Sequence, residues 1–215
     1  MGKVVAEISM SLDGFVAGPN QTLDEPLGEG GEQLHDWVFP LKAWRERHGL
    51  SGGETTSDNE LVEESLASTG ATVMGRRMFS GGEGPWEDDP KADGWWGDDP
   101  PFRHPVFVLT HHPREALTKQ GGTSFTFVTE GAESAVEQAK VAAGDKQVAI
   151  GGGATAIREA ISAGVVDELE IHLVPVLLGD GVRLLDGLGD QGIELHKARV
   201  VDGPAATHLR FRVAR

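Results

Sequence analysis

The sequence contains no cysteine and few basic residues, and each shortage excludes a class of function. Without cysteine, the 215-residue chain has no disulfide, no thiolate nucleophile and no cysteine-ligated zinc. Lys and Arg number 19 against 34 Asp and Glu, which gives a formal net charge of −15. Duplex binding needs clustered cations, so no nucleic-acid partner is expected. A small anionic ligand remains compatible with this charge, because backbone dipoles and a few arginines can hold a phosphate.

Long apolar segments are also missing. The first ten residues, MGKVVAEISM, contain no long apolar stretch, so no signal peptide is predicted. No run approaches the roughly 20 apolar residues of a membrane-spanning helix. We therefore expect a cytoplasmic protein with no membrane partner. The lack of cysteine is compatible with a reducing cytosol. The eight histidines are scattered and no H-E-x-x-H motif occurs, so no metal site is predicted.

Short apolar runs alternate with segments of helical periodicity. The runs indicate strands buried on both faces, as in a sheet covered by helices; they are residues 4–10, 71–74, 106–110, 125–129, 148–150 and 169–176. Helices are predicted for residues 57–70, 132–144 and 154–164, the first with Ser57 and Glu60 at capping-box spacing. This alternation predicts an α/β fold. Residues 193–201 and 207–214 predict a C-terminal antiparallel hairpin.

Two segments interrupt this pattern, and we expect them to be insertions in a single domain covering residues 1–215. The first, near residues 18–57, is rich in Gly, Glu and Asp and includes a possible short helix. The second, near residues 80–104, is rich in Gly, Pro, Asp and Trp. Its aromatic content disfavours disorder and leaves two interpretations, a pocket wall or a surface loop pinned by its tryptophans. In the first interpretation, Trp86 and Trp96 are candidates for substrate contact.

Three consecutive glycines, Gly151, Gly152 and Gly153, separate a predicted strand from a predicted helix. With Ala156 they satisfy the G-x-G-x-x-A pattern of dinucleotide-binding Rossmann units. The pattern falls too late in the chain for a Rossmann unit, and Asp167 and Glu168, 11 and 12 residues after Ala156, lie too close to it to serve as the ribose-binding acid. Two interpretations remain, a plain tight turn or a phosphate site at the helix N-terminus that includes Ala154 and Thr155.

Polar side chains follow three other predicted strands. Gly75 precedes Arg76 and Arg77, which are either phosphate ligands or solvated surface arginines. Thr110 and His111 end the strand at residues 106–110 and offer hydroxyl and imidazole donors. Asp13 follows the first strand; it is either a turn residue or a catalytic acid, which would need a raised pKa. Such strand ends can line one crevice of an open α/β sheet.

These motifs, in this order, resemble the dihydrofolate reductase superfamily, and within it the reductase domain of the riboflavin-biosynthesis deaminase-reductases and its stand-alone relatives. The matching segments cover most of residues 3–186 and read ISMSLDGFVAG, TVMGRRMF, VFVLTHHPRE, VAIGGGATAIREAI and VDELEIHLVPVLLGDGVRLLD. The resemblance implies a three-layer α/β fold with a mixed, mostly parallel sheet. It also implies a homodimer that uses NADPH to reduce 5-amino-6-(5-phosphoribosylamino)uracil. A pterin-type or other heterocyclic substrate, and a non-catalytic NADPH-binding protein, remain alternatives.

The resemblance also implies roles for individual residues. Val16 and Ala17 would lie against the nicotinamide, and Thr110 and His111 near the adenosine ribose. The phosphates would be held by Gly75, Arg76 and Arg77 and by the turn formed by Gly151, Gly152, Gly153, Ala154 and Thr155. Dihydrofolate reductases hold the pterin with a carboxylate early in the first helix, where this sequence offers Asp58, Glu60 and Glu63. We predict Glu60 and Asp13 as the catalytic acids.

Overall fold

The computed structural model describes residues 2–214 of the chain. The helices in that range are α1 (Lys42–Arg47), α2 (Ser57–Ser68), α3 (Arg76–Ser80), α4 (Ala132–Ala143) and α5 (Ala154–Ser162). Short 3-10 helices cover Gly31–His35, Trp86–Asp88, Gln120–Gly122 and Gly189–Gln191. The strands are β1 (Val4–Ser11), β2 (Phe15–Ala17), β3 (Thr69–Gly75), β4 (Pro105–Leu109), β5 (Leu117–Thr118), β6 (Ser124–Val128), β7 (Gln147–Ile150), β8 (Glu168–Val174), β9 (Val182–Arg183), β10 (Glu194–Asp202) and β11 (Thr207–Ala214).

Nine of these strands form one mixed sheet in the order β10-β11-β8-β1-β7-β3-β4-β6-β5. The six strands from β8 to β6 run parallel, while β11 is antiparallel to β8 and β5 is antiparallel to β6. Strands β10 and β11 pair as an antiparallel hairpin. The predicted α/β fold with a mostly parallel sheet and a C-terminal hairpin is therefore confirmed. Strands β2 and β9 form a separate two-stranded sheet.

Helices α4 and α5 cover one face of the central strands with small and branched side chains. The apolar stripe of α5, formed by Ala154, Ile157, Ala160 and Ile161, is buried in full. Its two isoleucines join a cluster with Val148 and Ile150 of β7 and Val73 of β3. Burying a side chain of this size stabilises the fold by roughly 1.5–3 kcal/mol, so this layer fixes the helices to the sheet. The central strands β3, β4 and β7 are buried on both faces, as the sequence predicted.

Strand β8 and most of β1 are buried as predicted, but one face of this pair is not apolar. In register, Glu7 lies beside Glu170 and Ser9 beside His172, so one face of both strands is polar. Successive side chains of a strand point to opposite faces, and these four residues therefore share one face of the sheet. The first insertion covers this face, since Trp37 and Leu41 pack with Val174 at the end of β8 and Ala206 in the hairpin turn.

The predicted capping box of α2 is not formed. The N-cap residue is Thr56, no side chain caps the helix, and Ser57 is the first helical residue. The side chains of Asp58 and Asn59 instead bind residues outside the helix. The Asn59 side chain accepts a hydrogen bond from the backbone N–H of Ala43 at 2.8 Å. The first turn of α2 is thus fixed by tertiary contacts, which override the local capping pattern.

Candidate active site

The ends of β7, β3 and β4 meet at one edge of the sheet, because the three strands are adjacent and parallel. This edge brings Gly151–Gly153, Gly75 and Thr110 together. The backbone N–H of Gly75 donates to the carbonyl oxygen of Gly152 at 2.8 Å, so two of the glycine turns are in direct contact. The peptide bond between Gly152 and Gly153 is cis. Ligands of open α/β sheets bind beyond the carboxyl ends of such strands.

The N-terminus of α5 is open for a ligand. Gly153 is its N-cap residue, and no side chain caps it. The first backbone bond of the helix runs from the N–H of Ile157 to the carbonyl oxygen of Gly153, which leaves the N–H groups of Ala154, Thr155 and Ala156 without an acceptor in the helix. A Cβ atom at Gly153 would meet no atom within 4 Å. Free N–H groups and the positive end of the helix dipole suit a phosphate here.

The polar residues predicted at the other strand ends have different surroundings. His111 is exposed at the end of β4, next to Thr110, whose hydroxyl accepts a hydrogen bond from the backbone N–H of His112 at 3.1 Å. Arg77 is exposed and forms an ion pair with Glu83 at 2.6 Å. His111 and Arg77 can therefore both reach solvent.

Arg76, by contrast, points into the protein. Its guanidinium donates to the carboxylate of Asp89 at 2.5 Å and to the hydroxyl of Ser80 at 2.9 Å, and it lies 3.2 Å from the ring centre of Trp86. Burial alone would raise the pKa of Asp89, but hydrogen bonds from Arg76 and Ser80 hold that pKa below its usual range. This differs from the phosphate-ligand expectation for Arg76, since the side chain holds the second insertion against α3.

Asp13 connects two distant motifs. Its carboxylate accepts hydrogen bonds from the hydroxyl of Ser11 at 2.5 Å and from the backbone N–H groups of Leu178 and Gly179 at 3.2 and 2.7 Å. The hydrogen bond from Ser11, reinforced by those two N–H groups, lowers the pKa of Asp13. These contacts make Asp13 a turn residue that holds the LLGDG loop, residues 177–181. A catalytic acid would need the opposite pKa shift, and the catalytic role of Asp13 stays a prediction.

Val16 and Ala17, predicted beside a nicotinamide, lie in β2 immediately after this turn. Both are buried, and β2 pairs with β9 beyond the LLGDG loop. Asp13 and this pairing together fix the backbone at Val16 and Ala17. Their contact with a cofactor stays a prediction.

A cavity of about 300 Å³ lies on the polar face of β1 and β8, between that face, helix α2 and the two insertions. Its lining is mostly apolar and includes Trp37, Trp44, Leu61, Val62, Leu66, Met78 and Phe102. Gly151 also lines it, so the cavity reaches the glycine turn before α5. Trp86 and Trp96 are not lining residues. They pack with Phe79 in a second apolar cluster, so the cavity's aromatic side chains are instead Trp37 and Trp44 of the first insertion and Phe102 of the second.

Several polar side chains enter this apolar cavity. Burial and the neighbouring Glu170 raise the pKa of Glu7, which accepts a hydrogen bond from Ser65 at 3.0 Å. Burial lowers the pKa of His104 to about 4, and its Nε2 lies 2.8 Å from the hydroxyl of Thr72. Burial likewise lowers the pKa of His172 to about 3. At neutral pH the cavity therefore holds uncharged imidazoles and a carboxyl group that keeps a proton more readily than an exposed glutamate.

A buried chain of hydrogen bonds lies behind the cavity wall. Nδ1 of His172 is 2.9 Å from Nδ1 of His208, and Nε2 of His208 is 3.0 Å from Oδ1 of Asp58. The other carboxylate oxygen of Asp58 accepts a hydrogen bond from the backbone N–H of Ala205 at 3.2 Å. Glu60 is exposed on the same helix and does not line the cavity. The carboxylate of α2 that reaches the interior is therefore Asp58.

A model of the RibD C-terminal domain family matches residues 2–209. The chain belongs to this family. No curated protein sequence matches it. Among solved structures, a Shewanella sp. PV-4 protein described as a riboflavin biosynthesis protein is 20% identical, with a TM-score of 0.63 over 99% of both chains.

Two further structures, both of reductases, share the fold. The deaminase/5-amino-6-(5-phosphoribosylamino)uracil reductase of Thermotoga maritima is 14% identical with a TM-score of 0.56, and the match covers 99% of this chain and 57% of that one. Dihydrofolate reductase from Enterococcus faecalis, in a complex with NADP(H), is 15% identical with a TM-score of 0.50 over 100% and 98% of the two chains. The fold is therefore dihydrofolate-reductase-like, and membership in the RibD C-terminal domain family supports an oxidoreductase.

The residues that carry the cavity's polar chemistry were not predicted from the sequence. Glu7, Ser9 and His172 lie in segments interpreted as apolar on both faces. The period-2 alternation of Glu168, Glu170 and His172 is the signal that would have found them. The partner of His172, however, is 36 residues away in the hairpin, and only tertiary structure brings the two together. Within residues 2–214 no group of three or more His, Asp or Glu side chains is placed to hold a metal ion. No helix there is long and apolar enough to cross a bilayer.

Proposed function

We propose that this chain is an NADPH-dependent reductase that transfers hydride to a small heterocyclic or ribosylamino substrate, with 5-amino-6-(5-phosphoribosylamino)uracil as the first candidate. One observation carries the proposal: the glycine turn at residues 151–153 is common to two sites. Gly151 lines the apolar cavity, while Gly153 begins the open N-terminus of α5. A cofactor anchored at α5 and a substrate in the cavity would meet across this turn.

The residues at the sheet edge fit NADPH. The free N–H groups at the start of α5 suit a pyrophosphate, and the open space beside Gly153 leaves room for it. His111 and Arg77 are exposed and follow β4 and β3 by two residues, and they are candidates for the ribose and its 2′-phosphate. Thr110, Val16 and Ala17 remain the proposed contacts of the ribose and nicotinamide. When bound, NADPH supplies the hydride.

The protein's own contribution is to position the partners and to exclude water. The apolar walls formed by Trp37, Trp44 and Phe102 displace water from the substrate. Holding two reactants in a near-attack geometry removes much of the entropic barrier to their reaction. Glu7 is the carboxyl group best placed to keep a proton inside the cavity, since burial raises its pKa.

The test is NADPH oxidation, followed by the loss of absorbance with a panel of substrates. The panel contains 5-amino-6-(5-phosphoribosylamino)uracil, dihydrofolate and neutral heterocycles without a phosphate. Oxidation with the first supports the riboflavin-type activity, and oxidation with another member supports the pterin-type or heterocycle alternative. Binding without oxidation of any member favours a non-catalytic NADPH-binding protein.

The variant Gly153→Ala tests the cofactor site. The added methyl group meets no protein atom, so the fold is unaffected, but it enters the space assigned to the phosphates. We expect NADPH binding, measured by tryptophan fluorescence, to weaken by roughly tenfold, which corresponds to about 1.4 kcal/mol. Gly189→Ala is the control, because its methyl group also meets no atom within 4 Å and lies in a different loop. Equal NADPH affinity in both variants and the unaltered protein would remove α5 from the proposed site.

We also propose that the protein works as a cytoplasmic homodimer. Strand β10 lies at one edge of the large sheet with almost all its residues exposed, Leu195 and Val200 among them. An exposed edge strand carrying apolar side chains is a surface that proteins commonly cover.

A further inference from the structure

The hydrogen bonds that join Asp58, His208 and His172 end at the cavity. His172 lines the cavity, and its Nδ1 is taken by His208. The buried side-chain polar atoms that lack a partner within residues 2–214 are Nδ1 of His35, Oγ1 of Thr56 and Nη1 of Arg76. Nε2 of His172 has no hydrogen-bond partner among these residues either, but it is not one of the buried atoms. This nitrogen is therefore open to the cavity.

With a neutral His208, these hydrogen bonds determine which nitrogen of His172 carries the proton. An ionised carboxylate only accepts hydrogen bonds, so Asp58 requires a hydrogen on Nε2 of His208. A neutral His208 then has a lone pair on Nδ1, and His172 must supply the hydrogen between the two Nδ1 atoms. A neutral His172 with its hydrogen on Nδ1 leaves a lone pair on Nε2. A buried aspartate fixes the tautomer of the catalytic histidine in serine proteases by the same logic.

We propose that the cavity binds an uncharged, flat heterocycle that donates an N–H or O–H hydrogen bond to Nε2 of His172, with Asp58 and His208 as positioning residues. This inference rests on the proposed function, because it assigns the substrate class of the same site. The rest of the lining supports it. Trp37 and Trp44 offer flat apolar surfaces, and His35 adds a second buried imidazole with an unpaired Nδ1.

The charges around the cavity favour an uncharged occupant. The one arginine of the lining, Arg47, donates its Nε and one Nη atom to the backbone carbonyl oxygens of Pro101 and Phe102. Burial lowers the pKa of its guanidinium, and so does the nearby Arg103. Glu7 lines the cavity and Glu170 lies beside it in the sheet, and these two carboxyl groups disfavour an anion. A phosphate carried by the substrate would therefore lie outside the cavity, and the heterocyclic part inside it.

The first test reads the tautomer in the unaltered protein. In protein labelled with ¹⁵N-histidine, long-range ¹⁵N–¹H correlation spectra distinguish protonated from unprotonated ring nitrogens, and the spectrum of His172→Gln assigns the signals. We expect His172 to have a protonated Nδ1 and an unprotonated Nε2 at neutral pH. A proton on Nε2 would overturn the inference, because the cavity wall would then offer a donor.

The second test uses two matched probes, indole and 1-methylindole. They have nearly the same shape, but only indole has an N–H group. Titrations followed by the ¹⁵N signals of His104, a lining residue that every variant keeps, should show that indole binds about fivefold more tightly, as one hydrogen bond of about 1 kcal/mol predicts. His172→Leu should abolish this preference, whereas Thr72→Val, an isosteric change at another lining residue, should keep it. Equal affinity for both probes, or no binding of either, would contradict the inference.

Neither test requires NADPH, so the two proposals can fail separately. Failure to bind or oxidise NADPH would defeat the reductase proposal and leave the tautomer and probe results intact. A protonated Nε2 on His172 would defeat the substrate-class inference and leave NADPH turnover intact. If His172→Leu does not fold, the spectra of the unaltered protein still decide the question.

Discussion

At the scale of single residues, the adjacent arginines Arg76 and Arg77 have opposite environments. The sequence offers both as phosphate ligands after the same glycine. In the structure Arg77 is exposed, whereas Arg76 is buried against Asp89 and Trp86. The difference follows from the direction in which each side chain leaves the first turn of α3. Arg76 faces the second insertion, which supplies the counter-charge that a buried guanidinium needs.

Arg76→Ala should therefore destabilise the fold, and Arg77→Ala should not. Removing one partner of a buried ion pair leaves Asp89 without its counter-charge and costs about 3–5 kcal/mol. The exposed pair of Arg77 with Glu83 should change the free energy of unfolding by less than about 1 kcal/mol. Urea unfolding of both variants measures this. Equal stability of the two variants would show that Arg76 does not hold the second insertion.

The buried histidines predict a loss of stability in mild acid. The pKa values of His172 and His104 are lowered from 6.5 to about 3 and about 4. Below pH 6.5 the unfolded chain therefore binds protons that the folded protein does not. Their contribution to stability is complete above about pH 6.5 and is lost as the pH falls to about 4 for His104 and to about 3 for His172. The raised pKa of Glu7 acts in the opposite direction, which makes a difference measurement necessary.

His104→Gln isolates one of these groups. Glutamine can keep the hydrogen bond to Thr72 but does not titrate, so the melting temperature of this variant should fall less steeply between pH 6.5 and 4. His196→Gln is the control, since the side chain of His196 is exposed. Identical slopes for His104→Gln and the unaltered protein would indicate that His104 takes up a proton in the folded state as easily as in the unfolded one.

At the scale of secondary structure elements, the C-terminal hairpin does more than close the sheet. Its strand β11 carries His208 to His172, and its turn brings the backbone of Ala205 to Asp58. Gly203 belongs to this turn, and a Cβ atom there would lie 1.5 Å from Oδ1 of Asp58. The turn needs glycine because the carboxylate of α2 occupies the space of a side chain.

Gly203→Ala should therefore break the Asp58–His208 contact. We expect a loss of more than about 1 kcal/mol in the free energy of unfolding, the minimum cost of leaving a buried polar group unsatisfied. Loss of this contact should also change the chemical shifts of the ring nitrogens of His208 and His172 in ¹⁵N-histidine spectra. Gly189→Ala again serves as the control, because its surroundings are empty. Unchanged histidine signals in Gly203→Ala would mean that the hairpin and α2 are not coupled through this contact.

At the scale of the whole molecule, the exposed edge strand β10 is the surface on which a second copy would pair. If the proposed homodimer forms there, light scattering of the purified protein should give twice the chain mass of 22.9 kDa. Val200→Lys should shift the protein to the monomer, because a charge would replace an apolar contact at the interface. Val141→Lys on α4 is the matched control, since Val141 is exposed on the helical layer. A monomeric mass for the unaltered protein would refute the homodimer.

The sequence by itself determined the order of strands and helices, the parallel sheet with its terminal hairpin, and the family. These depend on local patterns: apolar runs at β3, β4 and β7, a 3.6-residue stripe on α5, and glycines where strands turn into helices. Only the tertiary structure decided which polar side chains act together. Asp58, His172 and His208 lie on three elements up to 150 residues apart. Each has an ordinary local sequence, and the hydrogen bonds that join them form only when the hairpin, α2 and the first insertion close over the polar face of β1 and β8.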